Sequence, residues 1–312
     1  MENLILSANV VLPLFFLMVV GYVMRRCNIF DENTLKQMNK ATFRVFLPCL
    51  IFYNVYTSEI SDIFDKKLVI FSVVSVVAMF LMLLAVIPFV EKDNPKRGVM
   101  IQGVFRSNFV IFGITLSVAL YGDSIVGSAA VLIAVVVPVF NFLAVISLEI
   151  FRKGKPDLIK ILKGIVTNPL IISSALGLIF MFDGIKMPHI AEETVKNLSR
   201  IATPLALVVL GGSINFSRIK GNTKQLVICV LSRLVLVPAV FLSLAAAMGF
   251  RNAELAILIS VFASPTAVSS FTMAQQMGGD DELAGQIVVF NTTLCIITVF
   301  LWIFTFKQLG IM

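Results

Sequence analysis

The two halves of this 312-residue chain repeat each other at a nearly constant distance, which limits the available folds more than any other feature. Gly21 recurs as Gly177, 156 residues later, and Ser107 recurs as Ser264, 157 residues later. A single inserted residue accounts for the change of offset. The chain is therefore expected to contain two structurally related halves that meet at equivalent positions.

The composition is typical of a polytopic membrane protein. Hydrophobic residues make up 58% of the chain, charged residues 14%, and the mean hydropathy is +0.97. Soluble domains carry about 25% charged residues. The net charge of +7 could suit a nucleic-acid partner, but the basic residues flank apolar runs, where they set membrane orientation. The four cysteines are isolated, which favours small buried apolar residues over disulfides or a metal site.

Ten apolar runs are long enough to cross a bilayer, which takes about 20 residues per helix. They cover residues 8–26, 35–57, 67–90, 97–121, 125–151, 158–182, 190–213, 223–249, 253–277 and 283–306. Five runs fall in residues 1–151 and five in 152–312, and an odd number makes the second copy enter from the opposite side. The sequence therefore predicts an all-α fold of ten transmembrane helices in a 5+5 inverted repeat, which is typical of secondary transporters.

The basic residues predict the orientation in the membrane. They concentrate in the connections after spans 1, 3, 5 and 7, for example at Arg25, Arg26, Lys96, Arg97 and Arg152. The positive-inside rule assigns these connections to the cytoplasm and both termini to the extracytoplasmic side. We therefore expect a multi-pass protein of the cell membrane.

Spans 4 and 9 carry polar and helix-weakening residues in the middle of apolar runs. These residues are Ser107, Asn108, Ser264, Pro265 and Thr266. Proline frees a carbonyl group, and broken backbone is tolerated at membrane depth only against protein or a water-lined cavity. Two broken helices would point N-terminal N–H groups inward, where they attract anions. The five residues are therefore predicted to frame a binding site; a proline kink satisfied by neighbouring helices is the alternative.

Two arginines lie deep in apolar runs. Arg106 is in span 4 beside the predicted break, and Arg233 is in span 8. An arginine at this depth is costly and usually faces an interior cavity or a partner. It can act as a counter-charge for an anionic substrate, or it can pair with a helix C-terminus or reach the membrane surface. Arg106 is the residue predicted to be the counter-charge.

Two asparagines and several helix-bending residues complete the predicted site. Asn141 in span 5 and Asn291 in span 10 add amide groups beside the broken spans, although such groups can also simply join helices. Prolines at matching positions of spans 2 and 7 would kink these helices near mid-membrane. The predicted crossover and hinge positions are Gly113, Pro265, Pro48 and Pro204.

Missing residue types argue against several functions. No Asp or Glu lies near the centre of a span, and the single histidine, His189, lies in the connection that begins span 7. A buried carboxylate that carries protons or sodium is therefore poorly supported. Phosphate-binding loops, zinc-protease motifs and serine-hydrolase motifs are missing. The sequence indicates neither an enzyme nor a cofactor or metal site.

Several motifs match one known family. The match is carried by residues 263–267, 278–280, 291–293 and 108–113, with Pro13 and Pro48. Through them the chain resembles the auxin efflux carrier family, in its bacterial branch of malate and malonate permeases. The resemblance implies a fold similar to sodium/proton antiporters and bile-acid transporters. Spans 1, 2, 6 and 7 would form a scaffold, often dimeric, and spans 3–5 and 8–10 a mobile transport domain with crossing spans 4 and 9.

The resemblance also implies a mechanism and a class of substrate. The transport domain would move like an elevator and carry organic anions, which are auxin in plants and dicarboxylates such as malate or malonate in bacteria. Two departures from plant members argue against auxin. Asn108 stands where they have a proline, and residues 135–137 are all valine where they have a glutamine.

The sequence as a whole predicts a transporter of small organic anions, either mono- or dicarboxylates. Its partners would be the anion, the lipid bilayer and a second copy of the chain, with no nucleic acid and no cofactor. Uniport driven by the membrane potential and co-transport of a proton or sodium ion both stay open. The alternatives are a sodium-coupled carrier of the bile-acid type and a membrane sensor that binds a ligand without transporting it.

Overall fold

The computed structural model describes residues 2–58, 65–122, 125–152 and 158–312, without the side chains of 2–7, 10, 112–114 and 216–218. Its secondary structure is helical. The α-helices are α1 (Glu2–Arg26), α2 (Glu32–Ala41), α3 (Leu47–Tyr56), α4 (Lys66–Val90), α5 (Asn94–Phe105), α6 (Phe109–Tyr121), α7 (Val126–Ile150), α8 (Leu158–Val166), α9 (Pro169–Phe182), α10 (His189–Ser213), α11 (Thr223–Leu231), α12 (Val237–Ala247), α13 (Asn252–Phe262), α14 (Ser269–Met277) and α15 (Asp281–Gln308).

Local sequence sets several helix boundaries. Asp31, Asp65, Asn168 and Asp280 each accept a backbone N–H from the first turn of the helix that follows. Such caps satisfy N–H groups that have no partner within the helix. α14 ends at Met277, and the next residue, Gly278, has a φ of 80°, in the left-handed region that glycine adopts without steric cost.

Two of the predicted spans are broken in the middle. Span 4 is divided into α5 and α6, with residues 106–108 between them, and span 9 is divided into α13 and α14, with residues 263–268 between them. The first break has no proline, whereas the second contains Pro265. Both breaks lie where the polar residues of the two halves correspond in sequence.

Three other spans are irregular. The π-helical turns Thr42–Phe46 and Ser232–Leu236 join α2 to α3 and α11 to α12, and they precede Pro48 and Pro238. A π-turn adds one residue to the hydrogen-bonded ring, which accommodates a proline that would clash with the preceding α-helical turn. α8 and α9 meet at a bend of 51° beside Pro169.

The predicted hinge residues therefore lie in different surroundings. Pro48 is the second residue of α3, which follows a π-turn, whereas α10 continues through Pro204 without interruption. Pro265 lies in the break between α13 and α14. Gly113 lies within α6, in a stretch whose side-chain surroundings fall outside the described residues.

Among the described residues, four helical segments are long and apolar enough to cross a membrane alone. They are Lys66–Val90, Val126–Ile150, Thr223–Ala247 and Asp281–Gln308. α8 and α9 make a fifth if the bent pair is one span. The half-helices are too short by themselves, since the 11 residues of α13 rise about 17 Å in a hydrocarbon core of about 30 Å. The chain is thus an all-helical membrane protein with several apolar helices.

The helices pack into two groups. In the first group, α1 lies along α10, and α3 packs against both α9 and α10. In the second group, α5 packs on α4 and α7, α6 packs on α7 and α13, and α15 packs on α11 and α14. The groups touch where α1 meets α15 and where α7 meets α8 and α9.

Two close helix contacts repeat the internal symmetry of the sequence. A Cβ atom added to Gly21 would lie 1.9 Å from the Val208 carbonyl oxygen, and one added to Gly177 would lie 3.2 Å from the Phe52 carbonyl oxygen. Gly21 and Gly177 are 156 residues apart, and so are Phe52 and Val208. Gly21 and Gly177, which correspond in the repeat, therefore each pack on the equivalent position of the other half, and glycine permits this close approach of the backbones.

Candidate functional site

The two helix breaks meet inside the protein. The Asn108 N–H donates to the Pro265 carbonyl at 2.8 Å, and the Ala267 N–H donates to the Arg106 carbonyl at 3.3 Å. The paired segments form a short antiparallel bridge. We call the two paired breaks, residues 106–108 and 263–268, the crossover. Its backbone pairing supplies partners to groups that would be costly to leave unpaired at membrane depth.

Equivalent residues of the two halves touch at the crossover. The hydroxyl oxygens of Ser107 and Ser264 lie 2.6 Å apart, and both side chains are buried. These serines correspond in the sequence repeat. Contact between a residue and its own repeat equivalent is expected where a two-fold axis passes between two related halves.

Buried polar side chains support the crossover from the second half of the chain. The Thr266 hydroxyl donates to the Gly103 carbonyl at 2.5 Å, and the Asn291 amide donates to the Thr266 hydroxyl at 2.7 Å. Thr266 and Asn291 are both fully buried. They therefore join α15 and the second break to the last turn of α5.

Arg233 binds the C-terminal ends of both helices that enter the crossover. Its Nε donates to the Ser264 carbonyl at 2.8 Å and its Nη2 to the Val261 carbonyl at 3.0 Å. Its Nη1 donates to the carbonyls of Val104 and Phe105 at 3.2 and 3.4 Å. The side chain is 0% exposed. Its positive charge thus lies at the negative dipole ends of α5 and α13.

A cavity of about 70 Å³ lies on the other side of the crossover. It separates the crossover and α7 from α3 and α10, and so lies between the two groups of helices. Its polar lining residues are Asn54, Arg106, Ser107, Asn108, Asn141, Thr203 and Ser269. The first turns of α6 and α14 also line the cavity, so the positive ends of two helix dipoles face it.

Arg106 is held at the edge of this cavity by side chains. Its Nη2 donates to Asn141 Oδ1 at 2.5 Å, and its Nη1 contacts the Met273 sulfur. Arg106 is 4% exposed, and no carboxylate pairs with it among the described residues. An arginine with only neutral partners in a buried cavity keeps its positive charge available to an anionic ligand.

Two amide groups beside Arg106 have donors without protein partners. The Nδ2 atoms of Asn108 and Asn141 are buried and make no hydrogen bond. The orientation of the Asn141 amide follows from Arg106, because a guanidinium group only donates and must meet the oxygen. Arg106, Asn108 and Asn141 thus bring a guanidinium group and two amide groups to the cavity lining beside two helix N-termini, a set that suits a ligand with acceptor oxygens.

The predicted site residues divide into two sets. Arg106, Ser107, Asn108 and Asn141 line the cavity. By contrast, Ser264, Pro265, Thr266 and Asn291 are absent from its lining and instead hold the crossover together.

The sequence interpretation missed the wall built by α3 and α10. Leu47 and Thr203 correspond in the repeat and each directly precede a proline, and Leu50 and Ala206 also correspond. All four line the cavity, as does Asn54. The repeated prolines could have indicated this wall, because the residues beside them line the cavity in both halves.

Comparison with known proteins assigns the family. Residues 7–303 match the family described as "Membrane transport protein". Similar proteins are "Uncharacterized transporter MJ1031" of Methanocaldococcus jannaschii, 24% identical over 94% of this chain and 97% of that protein, and the "Putative malonate transporter" of Rhizobium meliloti, 24% identical over 93% of each. "Uncharacterized transporter YfdV" of Escherichia coli is 20% identical over 94% of this chain and 95% of its own length.

The resemblance predicted from the motifs is therefore confirmed along almost the whole chain. Together with the apolar helices and the buried crossover, the match shows that the chain belongs to the auxin efflux carrier family of membrane transport proteins.

Proposed function

We propose that this protein carries small organic anions, mono- or dicarboxylates, across the membrane, and that the anion binds in the cavity beside Arg106. The observation that carries this proposal is the set of donors in the lining: Arg106 and the unpartnered Nδ2 atoms of Asn108 and Asn141. Carboxylate oxygens accept hydrogen bonds and carry negative charge, so they complement all three groups.

The size of the cavity favours a small substrate. Its volume of about 70 Å³ and its wall of Val137, Phe140 and Ile51 leave room for a short-chain acid. A bulky ring system such as indole or a sterol would have to displace these side chains. The similar Rhizobium meliloti protein is named a "Putative malonate transporter", and malonate is a short dicarboxylate of the size proposed here.

The helix packing supports an elevator-type mechanism on a ten-span, 5+5 inverted repeat. We assign the group of α1, α2, α3, α8, α9 and α10 to the scaffold and the remaining helices to the transport domain. The reciprocal contacts of Gly21 and Gly177, and the Ser107–Ser264 pair, agree with a two-fold relation between residues 1–151 and 152–312. Movement would break the contact of Asn39 on α2 with Gln275 on α14, where two amides are 2.7 Å apart.

We further propose the cell membrane as the location, with both termini extracytoplasmic, and a homodimer joined through the scaffold. The proposed orientation rests on basic residues such as Arg25, Arg26 and Arg97 in alternate connections. Labelling of a terminal tag from outside intact cells tests the orientation. The mass of the purified protein in detergent, corrected for bound detergent, tests the dimer.

Uptake into proteoliposomes tests the proposed function. Radiolabelled malonate is added to vesicles that contain the wild type, R106Q or R200Q, since Arg200 on α10 is an exposed arginine. The wild type and R200Q should take up and exchange malonate, whereas R106Q should lose most of the uptake. Uptake of no mono- or dicarboxylate by the wild type would contradict the proposal. Binding without counterflow would instead favour a sensor, and strict dependence on sodium would favour a carrier of the bile-acid type.

A further inference from the structure

The crossover creates an electrostatic problem at its C-terminal side. α5 and α13 both end there, so their last carbonyl groups lack helical partners and their negative dipole ends converge. In transporters with broken helices, such carbonyls and C-terminal ends commonly coordinate a transported sodium ion or proton. These carbonyl groups need hydrogen-bond partners inside the protein, and a positive charge placed among them is stabilised by the helix dipoles.

Arg233 supplies that positive group from within the chain. Four carbonyl oxygens, two from the end of α5 and two from the end of α13 and the following break, accept its N–H groups at 2.8 to 3.4 Å. Among the described residues it forms no ion pair with a carboxylate. Within the part of the chain that the structure describes, peptide carbonyls are therefore the hydrogen-bond partners of the guanidinium charge.

We infer that Arg233 is a built-in cation that takes the place of a bound alkali ion at the crossover, so that anion transport proceeds without sodium. The transport part of this inference rests on the proposed function. Arg233 is a positioning residue, because it binds the ends of α5 and α13, and the chain that follows α5 carries Arg106 and Asn108 into the cavity lining.

The different positions of the two arginines at the crossover support the inference. Arg233 occupies the carbonyl side of the crossover, and Arg106 lies on the N-terminal side, where its partners are side chains. A sodium ion placed among the same carbonyls would meet the guanidinium group at contact distance and be repelled. The repeat equivalent of Arg233 is Val76, so the first half of the chain provides no second cation of this kind.

The test measures malonate uptake and the melting midpoint for the wild type, R233K, R233M and R233A, each in sodium chloride and in choline chloride. The wild type should show the same uptake and midpoint in both salts. Uptake by R233M should be about tenfold or more below that of the wild type. Uptake by R233K should be intermediate, since lysine keeps the positive charge but lacks the several N–H donors of the planar guanidinium group. For R233A, guanidinium ion at about 10 mM should raise the midpoint by binding the native state.

R200A provides the matched control, because guanidinium should not raise the midpoint of a variant that lacks an exposed arginine. A loss of wild-type uptake in choline, or a wild-type midpoint that rises with sodium, would overturn the inference. So would an R233M variant with wild-type midpoint and uptake. If R233M fails to fold, the uptake and midpoint of R233K, together with those of the wild type in the two salts, still test the inference. If the wild type transports no anion, the proposed function fails, while the melting measurements still test the role of Arg233.

Discussion

The two buried arginines of the crossover bind different groups, and this difference assigns a structural role to Arg233 and a ligand-binding role to Arg106. Arg233 donates to four backbone carbonyls and is 0% exposed. Arg106 donates to the Asn141 side chain, contacts a methionine sulfur and borders a cavity. Removing the first would leave fixed dipoles without a partner, whereas removing the second would leave only side chains that can rearrange.

This comparison explains how one small region can be both rigid and able to bind. The C-terminal ends of α5 and α13 are closed by Arg233, while the N-terminal ends of α6 and α14 remain directed at the cavity. Helix dipoles of opposite sign are thus separated by the width of the crossover. An anion can be attracted on one side without competition from the carbonyls on the other.

Replacement of Arg233 by methionine should have the largest effect. Loss of the guanidinium group leaves up to four buried carbonyls without this donor, and a buried acceptor left unsatisfied costs about 1–3 kcal/mol. We expect a large drop in the midpoint of chemical or thermal unfolding. R200M, at an exposed site of α10, should remain close to the wild type. Equal midpoints for R233M and R200M would contradict the role given to Arg233.

Replacement of Arg106 by methionine should affect transport far more than stability. Charged hydrogen bonds to a carboxylate contribute about 1.5–3 kcal/mol, so uptake of malonate at low concentration should fall by about 10- to 100-fold. Because a buried charge without a carboxylate partner is costly, the unfolding midpoint should stay the same or rise. A midpoint that drops as far as that of R233M would remove the distinction between the two arginines.

The Asn141→Ala variant should have an intermediate effect. It removes the acceptor that orients Arg106 and one of the two unpartnered amide donors. We expect KM for malonate to increase by about 3- to 10-fold, in line with about 1 kcal/mol for a hydrogen bond, with the maximal rate less affected. As a control, Asn197→Ala changes an exposed asparagine on α10 and should leave KM unchanged. An unchanged KM in Asn141→Ala would argue against its contact with the substrate.

The smallest effect is expected at the serine pair between the two arginines. Ser107→Ala and Ser264→Ala each remove one side of a buried hydroxyl contact of 2.6 Å. Each variant should lose about 1 kcal/mol of stability, and the double variant should lose less than the sum, because both remove the same interaction. Unfolding midpoints of the two single variants and the double variant measure this coupling. Full additivity would mean that the two hydroxyls do not interact.

Several features of the fold could be predicted from sequence because they depend on local chemistry. The breaks at 106–108 and 263–268 follow from polar residues and Pro265 inside apolar runs. Arg106 and Asn141, 35 residues apart, could be assigned to one region because spans 4 and 5 are consecutive and each carries a buried polar group.

Other features depend on packing that one sequence does not specify. The partners of Arg233 are carbonyl groups, which every residue has, so no residue type indicated them. Asn291 was predicted near the substrate, but its position behind Thr266 depends on the rotation of α15 about its axis. The cavity wall formed by α3 depends on how α3 approaches the crossover, which the repeated prolines indicated only indirectly.

Arg106 is proposed to provide the positive charge that binds an anionic substrate. The most direct test of this role is malonate binding to purified wild type, R106K and R106M, measured by the ligand-induced shift of the melting midpoint over a range of malonate concentrations. A ligand that binds the native state raises the midpoint. We expect a saturable rise of the midpoint for the wild type, a weaker rise for R106K and none for R106M. A rise in R106M equal to that of the wild type would contradict the proposed role.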